Sequence, residues 1–153
     1  KGMFEKVGNI DALICLAGEA KWDNFNSMSE DDFYIGIKSK LMGQVNLVRI
    51  GQEYISKNGS ITLTTGILAD DPVSMTSSAA MVNGAIHSFV KAVALELEDI
   101  RINAVSSGLV EDSVEKYKAY FPGHNAIPMK KVVNAYLKSL LGKINGQIIR
   151  IYE

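Results

Sequence analysis

Short apolar runs alternate along the chain with longer segments in which apolar residues recur at helical spacing. The run Asp11–Leu16 has the nearly continuous apolar pattern of a strand that is buried on both faces. Similar runs predict three further strands, over Ser60–Thr64, Ile100–Val105 and Gln147–Tyr152.

The segments between these strands favour helices. They are predicted over Ser29–Ser56, Ser77–Leu97, Asp112–Tyr120 and Met129–Leu141. Ser29 is the predicted N-cap of the first helix, because three acidic residues follow it, and Asn58-Gly59 provides the stop signal. Ser77 and Ser78 are predicted to cap the second helix.

The order of these elements, β-α-β-α-β-α-β, determines the expected fold class. Each connection between strands is long enough for a helical crossover, which parallel strands require. The pattern therefore predicts an α/β fold, a doubly wound parallel sheet of the Rossmann-like type with helices on both faces. Residues 1–153 are expected to form a single domain.

Composition narrows the classes of function. A formal net charge of −1 gives no electrostatic basis for binding nucleic acid or an anionic membrane. No apolar run reaches the roughly 20 residues of a membrane span. Cys15 is the single cysteine and lies in an apolar strand, so we expect a buried thiol in a cytoplasmic protein. The two histidines and this cysteine lack the spacing of metal ligands, so no metal site is predicted.

The most specific motifs lie between Gly59 and Leu97. A β-branched strand there ends in two hydroxyl residues, Thr64 and Thr65, and a turn-rich segment and a long apolar helix follow it. With these motifs the chain resembles the short-chain dehydrogenase/reductase family over nearly its whole length. In that family a strand ends in Ser-Ser, and the next helix carries Tyr-x-x-x-Lys thirteen residues before Glu-Leu.

Functional positions of this pattern are substituted. Counting back from Glu96 places the family's Lys at Asn83 and its Tyr at Ala79. Lys40 stands in the long first helix where the family has its catalytic Asn. The resemblance therefore identifies the chain as an atypical member that has lost the usual acid/base pair.

The resemblance also implies a cofactor, NAD or NADP, and a small carbonyl or alcohol substrate. Ala17 and Gly18 match the end of the family's Asn-Asn-Ala-Gly, and Ser107 and Gly108 match the Pro-Gly of the segment that closes over the nicotinamide. Asn83 can hydrogen-bond a ribose. These five residues are the candidate cofactor-binding residues.

The Gly-rich phosphate-binding half of the family's domain has no counterpart here, since none of the 13 glycines forms even a Gly-x-Gly. The chain therefore resembles the C-terminal portion of that domain. We expect about 40–60 further residues upstream, the size of two βα units, which would also pair the apolar edge of Asp11–Leu16. The residue that chooses between NAD and NADP would lie there.

Candidate catalytic residues follow from the missing tyrosine. Ala79 can exchange no proton with a substrate oxygen. Thr65, the nearest match to the family's substrate-orienting Ser, either binds a carbonyl oxygen or satisfies local backbone groups. Lys40 either reaches into the site as a cation or acid, with burial lowering its pKa, or is a solvated surface lysine. His87, one turn after Asn83, is either an alternative acid or a packed histidine.

Two main functions remain open from the sequence. The first is an NAD(P)-dependent oxidoreductase with altered or weak catalysis; the alternative is a non-catalytic nucleotide-binding or scaffold protein on the same fold. A decayed fragment without function is a third. Small residues along the two long helices, which form the subunit interface in the resembled family, predict a homodimer or homotetramer. They are Gly43, Ala79, Ala80, Gly84 and Ala85.

Overall fold

Four parallel strands form one sheet in the order of the sequence, with helices packed against it. The computed structural model describes residues 1–153. The strands are β1 (Ile10–Ile14), β2 (Ile55–Gly66), β3 (Arg101–Ser107) and β4 (Ile148–Ile151). The helices are α1 (Gly2–Val7), α2 (Glu30–Gly36), α3 (Met42–Gly51), α4 (Ser77–Val93), α5 (Val114–Tyr117) and α6 (Met129–Leu141). The predicted α/β class with a parallel sheet is confirmed.

The first long helix differs from its prediction in its middle and at its end. Ser29 caps α2 as predicted, in a reciprocal capping box with Asp32. A π-helical segment, Ile37–Leu41, then separates α2 from α3. The helix ends at Gly51 and not near Ser56, because Ile55 already pairs with β1 as the first residue of β2. Sheet pairing thus overrides a helical sequence pattern.

The second long helix is also shorter than predicted. It ends at Val93 and not at Leu97. Its N-cap is Thr76, and neither Ser77 nor Ser78 caps it. The Ser78 hydroxyl is buried without a hydrogen-bond partner, so the predicted cap is wrong at this helix.

Alternate residues of β2 face opposite sides of the sheet. Ile61 and Leu63 are fully buried and belong to one apolar core with residues of α3 and α4, namely Val48, Ile86 and Val90. Thr62 points to the other side, where its hydroxyl lies 2.7 Å from that of Ser139 on α6. The sheet is therefore covered on both faces, as predicted.

The carboxyl ends of the parallel strands lie at one edge of the sheet, where ligands of such folds bind. Three segments follow the strands at this edge. They are the segment after β1, the short helical turn Ile67–Ala69 after β2, and the segment after β3 that carries α5. None of the helices combines the length and the apolar character that crossing a bilayer requires.

Candidate functional site

A cleft of about 700 Å³ lies at the carboxyl ends of β1 and β2. It lies beside the π-helical segment and α4, and the α5 segment contributes aromatic side chains to it. The cleft brings together four of the predicted site residues: Gly18, Lys40, Thr65 and Asn83.

Lys40 lines the cleft from the π-helical segment, a type of turn that is frequent at functional sites. The side chain is half-buried, and the three ion pairs of the molecule involve other residues. Burial lowers the pKa of the Lys40 ammonium, against an opposing effect of Cys15. Lys40 is therefore not the solvated surface lysine of the alternative interpretation.

Gly18 allows the loop after β1 to pack closely against Lys40. The backbone φ of Gly18 is +125°, and a Cβ atom added there would lie 2.7 Å from the Lys40 Cα atom. Only glycine permits both the backbone angle and this close approach. The loop therefore packs directly against the π-helical segment.

Asn83 and Ala79 lie on α4 and line the same cleft. Asn83 is 5% exposed, and its amide oxygen has no hydrogen-bond partner. A buried polar atom without a partner typically costs about 1–3 kcal/mol. The Asn83 oxygen therefore fits a ligand hydroxyl that donates a hydrogen bond to it, as a ribose hydroxyl would. Ala79 contributes only a methyl group to the cleft.

Thr65 lies next to the last residue of β2, at the cleft, and its hydroxyl makes a contact that the sequence did not reveal. Its Oγ1 atom lies 2.8 Å from Nε2 of His87 and 3.4 Å from the carbonyl oxygen of Val105. Thr65 and His87 are 4% and 6% exposed. His87 is therefore buried, and its ring contacts the hydroxyl of a predicted site residue.

The electrostatic surroundings of His87 favour its neutral form. Burial lowers the pKa of the imidazole, the Asp70 carboxylate opposes this, and the Arg150 and Lys91 cations lower it further. A lowered pKa favours the neutral imidazole at pH 7.

The Asp70 carboxylate, which acts on the His87 charge, forms an ion pair and also binds a phenol. The Arg150 guanidinium binds the Asp70 carboxylate through two hydrogen bonds, of 2.8 and 3.1 Å. The Tyr152 hydroxyl also donates to Asp70 and lies 2.9 Å from the Ser106 hydroxyl. The Arg150 contact lowers the pKa of Asp70 to about 2, and burial, with the bond to Asp70, raises that of Tyr152 to about 12.

Aromatic side chains form one wall of the cleft. The Trp22 ring lies 5.4 Å from that of Tyr117 and 5.8 Å from that of Tyr120, measured between centroids. All three residues line the cleft. The periodicity of the sequence gives no signal for the packing of Trp22 against the α5 segment.

The remaining predicted cofactor residues lie outside the cleft lining. Ala17 is exposed, one residue before Gly18. Ser107 ends β3, and the Gly108 amide donates to the carbonyl oxygen of Ile151 at 2.7 Å. Their roles, like those of the four residues in the cleft, stay predictions.

Comparison with known proteins identifies relatives along most of the chain. Residues 1–137 match the family described as Enoyl-(Acyl carrier protein) reductase. The chain is 32% identical over 111 residues to Oxidoreductase UcpA of Escherichia coli (strain K12), which covers 69% of this chain and 42% of that protein. It is 28% identical over 104 residues to Short-chain dehydrogenase/reductase ucsE of Acremonium sp, covering 66% of this chain and 39% of that protein. The chain thus spans less than half the length of these two curated relatives.

The fold is shared with solved structures, two of which superpose closely on this chain. The protein lin1944 from Listeria innocua superposes with a TM-score of 0.96 at 39% identity, over 99% of this chain and 76% of that chain. A small-chain dehydrogenase in complex with NADPH gives a TM-score of 0.86 at 27% identity, over 98% of this chain and 75% of that chain.

Proposed function

The chain belongs to the short-chain dehydrogenase/reductase family of NAD(P)-binding oxidoreductases, and from its site we propose that the intact protein interconverts a small carbonyl compound and its alcohol with an altered catalytic set. The observation that carries this proposal is that Lys40, Thr65 and Asn83 line one cleft at the carboxyl ends of the strands. The expected tyrosine is absent from that cleft at position 79.

Lys40 and Asn83 have exchanged residue types relative to the resembled family. The family has Asn at the position of Lys40 and Lys at the position of Asn83. At these two positions the cleft therefore keeps one ammonium group and one amide, but each comes from the opposite helix. An ammonium group in a half-buried cleft favours negative charge that develops on a substrate oxygen, and the Thr65 hydroxyl would orient that oxygen.

Residues of the cleft would also hold the cofactor. The unpartnered Asn83 oxygen would accept a hydrogen bond from a ribose hydroxyl, Lys40 would donate one, and the Gly18 loop would lie against the same ligand. When bound, the nicotinamide supplies or accepts the hydride.

A calorimetric titration of the intact protein with NADPH and with NADH tests this proposal. We expect dissociation constants in the micromolar range. The Lys40→Met variant should bind about tenfold more weakly, equivalent to about 1.4 kcal/mol. Failure of the unmodified protein to bind either nucleotide at millimolar concentration would contradict the proposal.

The reciprocal exchange provides a sharper test of the two positions. Lys40→Asn and Asn83→Lys should each weaken NADPH binding, the first by removing the Lys40 ammonium and the second by adding a further cation to the cleft that Lys40 lines. The double variant should bind more tightly than the sum of the single losses predicts, because it restores one cation and one amide. Additive losses would show that the two residues act independently.

A non-catalytic nucleotide-binding or scaffold protein is the second candidate function. The buried methyl group of Ala79 at the tyrosine position supports it. Under this alternative, Thr65→Ala and Lys40→Ala would leave any measured turnover unchanged, whereas an oxidoreductase that uses these residues would lose it.

A homo-oligomer is part of the proposal. The outer face of the α2–α4 layer exposes large apolar side chains, among them Tyr34, Ile35, Met42 and Met81. A Cβ atom added at Gly43 or Gly84 would meet nothing within 4 Å. Ala79, in contrast, is 4% exposed and belongs to the cleft and its core, so it is not part of this face. The free, buried Cys15 is consistent with a cytoplasmic location.

A further inference from the structure

We propose that Thr65 and His87 form the proton path that replaces the missing tyrosine, with Thr65 transferring a proton between the substrate oxygen and His87. This inference rests on the proposed oxidoreductase function and assigns the histidine a catalytic part in it. The geometry that points to it is a short contact, 2.8 Å between Thr65 Oγ1 and His87 Nε2. Both side chains are buried, and Thr65 lines the cleft.

The direction of the hydrogen bond between Thr65 and His87 determines whether Thr65 can accept a proton from the substrate. A hydroxyl group has one proton to donate and two lone pairs. A neutral imidazole whose Nε2 is unprotonated accepts the Thr65 proton. The remaining lone pairs of Oγ1 are then free to accept the proton of a substrate alcohol in the cleft. The carbonyl oxygen of Val105, at 3.4 Å, is the more distant acceptor of the Thr65 proton.

The step balances in the oxidation direction. The carbon of the substrate alcohol gives up hydride, with its electron pair, to the oxidised nicotinamide. The alcohol proton passes to Thr65 Oγ1, the Thr65 proton passes to His87 Nε2, and the substrate becomes a carbonyl compound. The products are an imidazolium at His87 and an unchanged Thr65 hydroxyl. Reduction runs the same transfers in reverse and begins from the imidazolium.

The charges that face His87 set the preferred direction. Asp70, on the segment after β2, favours the imidazolium; Arg150 on β4 and Lys91 on α4 oppose it, as does burial. The Asp70 carboxylate is already bound by Arg150 and Tyr152, and its effect on the imidazole is electrostatic. Because the net effect favours the neutral imidazole, His87 can accept a proton, which alcohol oxidation requires.

A readout without cofactor or substrate is available because the protein has only two histidines, His87 and His124. We expect NMR titration of the imidazole signals to give a His87 pKa below 6.5. Thr65→Val should raise this pKa, because it removes a hydrogen bond that the neutral ring accepts. A pKa that falls or stays unchanged would show that Thr65 accepts from His87 instead, and would overturn the proposed direction of transfer.

The second readout is the pH profile of turnover, with NAD and NADP and a panel of small primary and secondary alcohols. The oxidation rate should fall as the pH drops through the His87 pKa, because the imidazolium cannot accept a proton. His87→Gln should lower kcat by about 10²–10⁴ and remove this acid limb. Thr65→Ser should retain the limb, whereas Thr65→Val should lose it.

The matched control is His124→Gln. His124 lies in the loop after α5, near Asp71, outside the cleft lining, and its replacement should leave the profile unchanged. Turnover with an acid limb that survives His87→Gln would overturn the proton path and leave the proposed function intact. Absence of turnover at any pH, together with absence of nucleotide binding, would overturn the proposed function and the proton path with it.

Discussion

Lys40 and Gly18 act as a unit at the scale of single residues. An ammonium group loses hydration when it is half-buried, and no carboxylate pairs with Lys40 to compensate. A side chain at position 18 would collide with the backbone of Lys40. The sequence allowed both residues to be chosen as candidates from motif positions. It could not show that one depends on the other, because 22 positions separate them in the chain.

Asp70 is the residue whose charge state has the clearest consequence for stability. Its pKa is lowered to about 2, first of all by the Arg150 hydrogen bonds, from an ordinary value of about 3.9. A lowered pKa in the folded state stabilises the protein above the unfolded-state pKa, and this contribution is lost as the pH falls towards 2. We expect the urea midpoint to drop between about pH 4 and pH 2.

The Asp70→Asn variant should be less stable at pH 6 and should show less of this acid-dependent drop. Asp71→Asn is the matched control, because the Asp71 carboxylate is 65% exposed and has no arginine partner. Urea unfolding followed by circular dichroism between pH 2 and pH 6 measures both. Equal pH dependence in the Asp70→Asn variant and the unmodified protein would assign the drop to other carboxylates.

Prediction from sequence succeeds at the scale of elements where local signals determine them. The bounds of α6, Met129–Leu141, are the predicted ones, because apolar periodicity and a following glycine mark them. Thr65 was also identifiable, as the last hydroxyl of a strand. His87 was a candidate too, but its contact with Thr65 was not predictable, because that contact depends on how α4 packs on β2. The Asp70–Arg150 pair joins residues 80 positions apart, which no local pattern reveals.

The cap of α2 offers a test at this scale. Ser29 accepts a hydrogen bond from the Asp32 amide, and the Asp32 carboxylate accepts one from the Ser29 amide. Ser29→Ala should lower the free energy of unfolding by about 1 kcal/mol. Ser27→Ala is the control, since Ser27 is exposed and lies before the helix. Urea denaturation of both variants measures the difference, and equal stability would mean that water replaces the cap.

At the scale of the whole molecule, the two faces of helices α3 and α4 differ in what they contact. Their inner faces bury Val48, Ile86 and Val90 against the sheet, and the residues of the cleft lie at one end. Their outer faces keep glycines where a side chain would fit without collision. Neither the core nor the cleft requires glycine at positions 43 and 84, which favours close approach of a second molecule as the reason for them.

Replacement of Met81 by arginine tests this interface. Met81 is 43% exposed on α4, three residues before Gly84. A buried charge at a two-fold interface would lie near its own copy, so Met81→Arg should shift the protein from dimer or tetramer to monomer in sedimentation. Leu137→Arg is the matched control, because Leu137 is 44% exposed on α6, in the opposite layer. If Leu137→Arg dissociates the oligomer and Met81→Arg does not, the interface lies on the α6 side. A protein that sediments as a monomer at micromolar concentration before any substitution would contradict the oligomer itself.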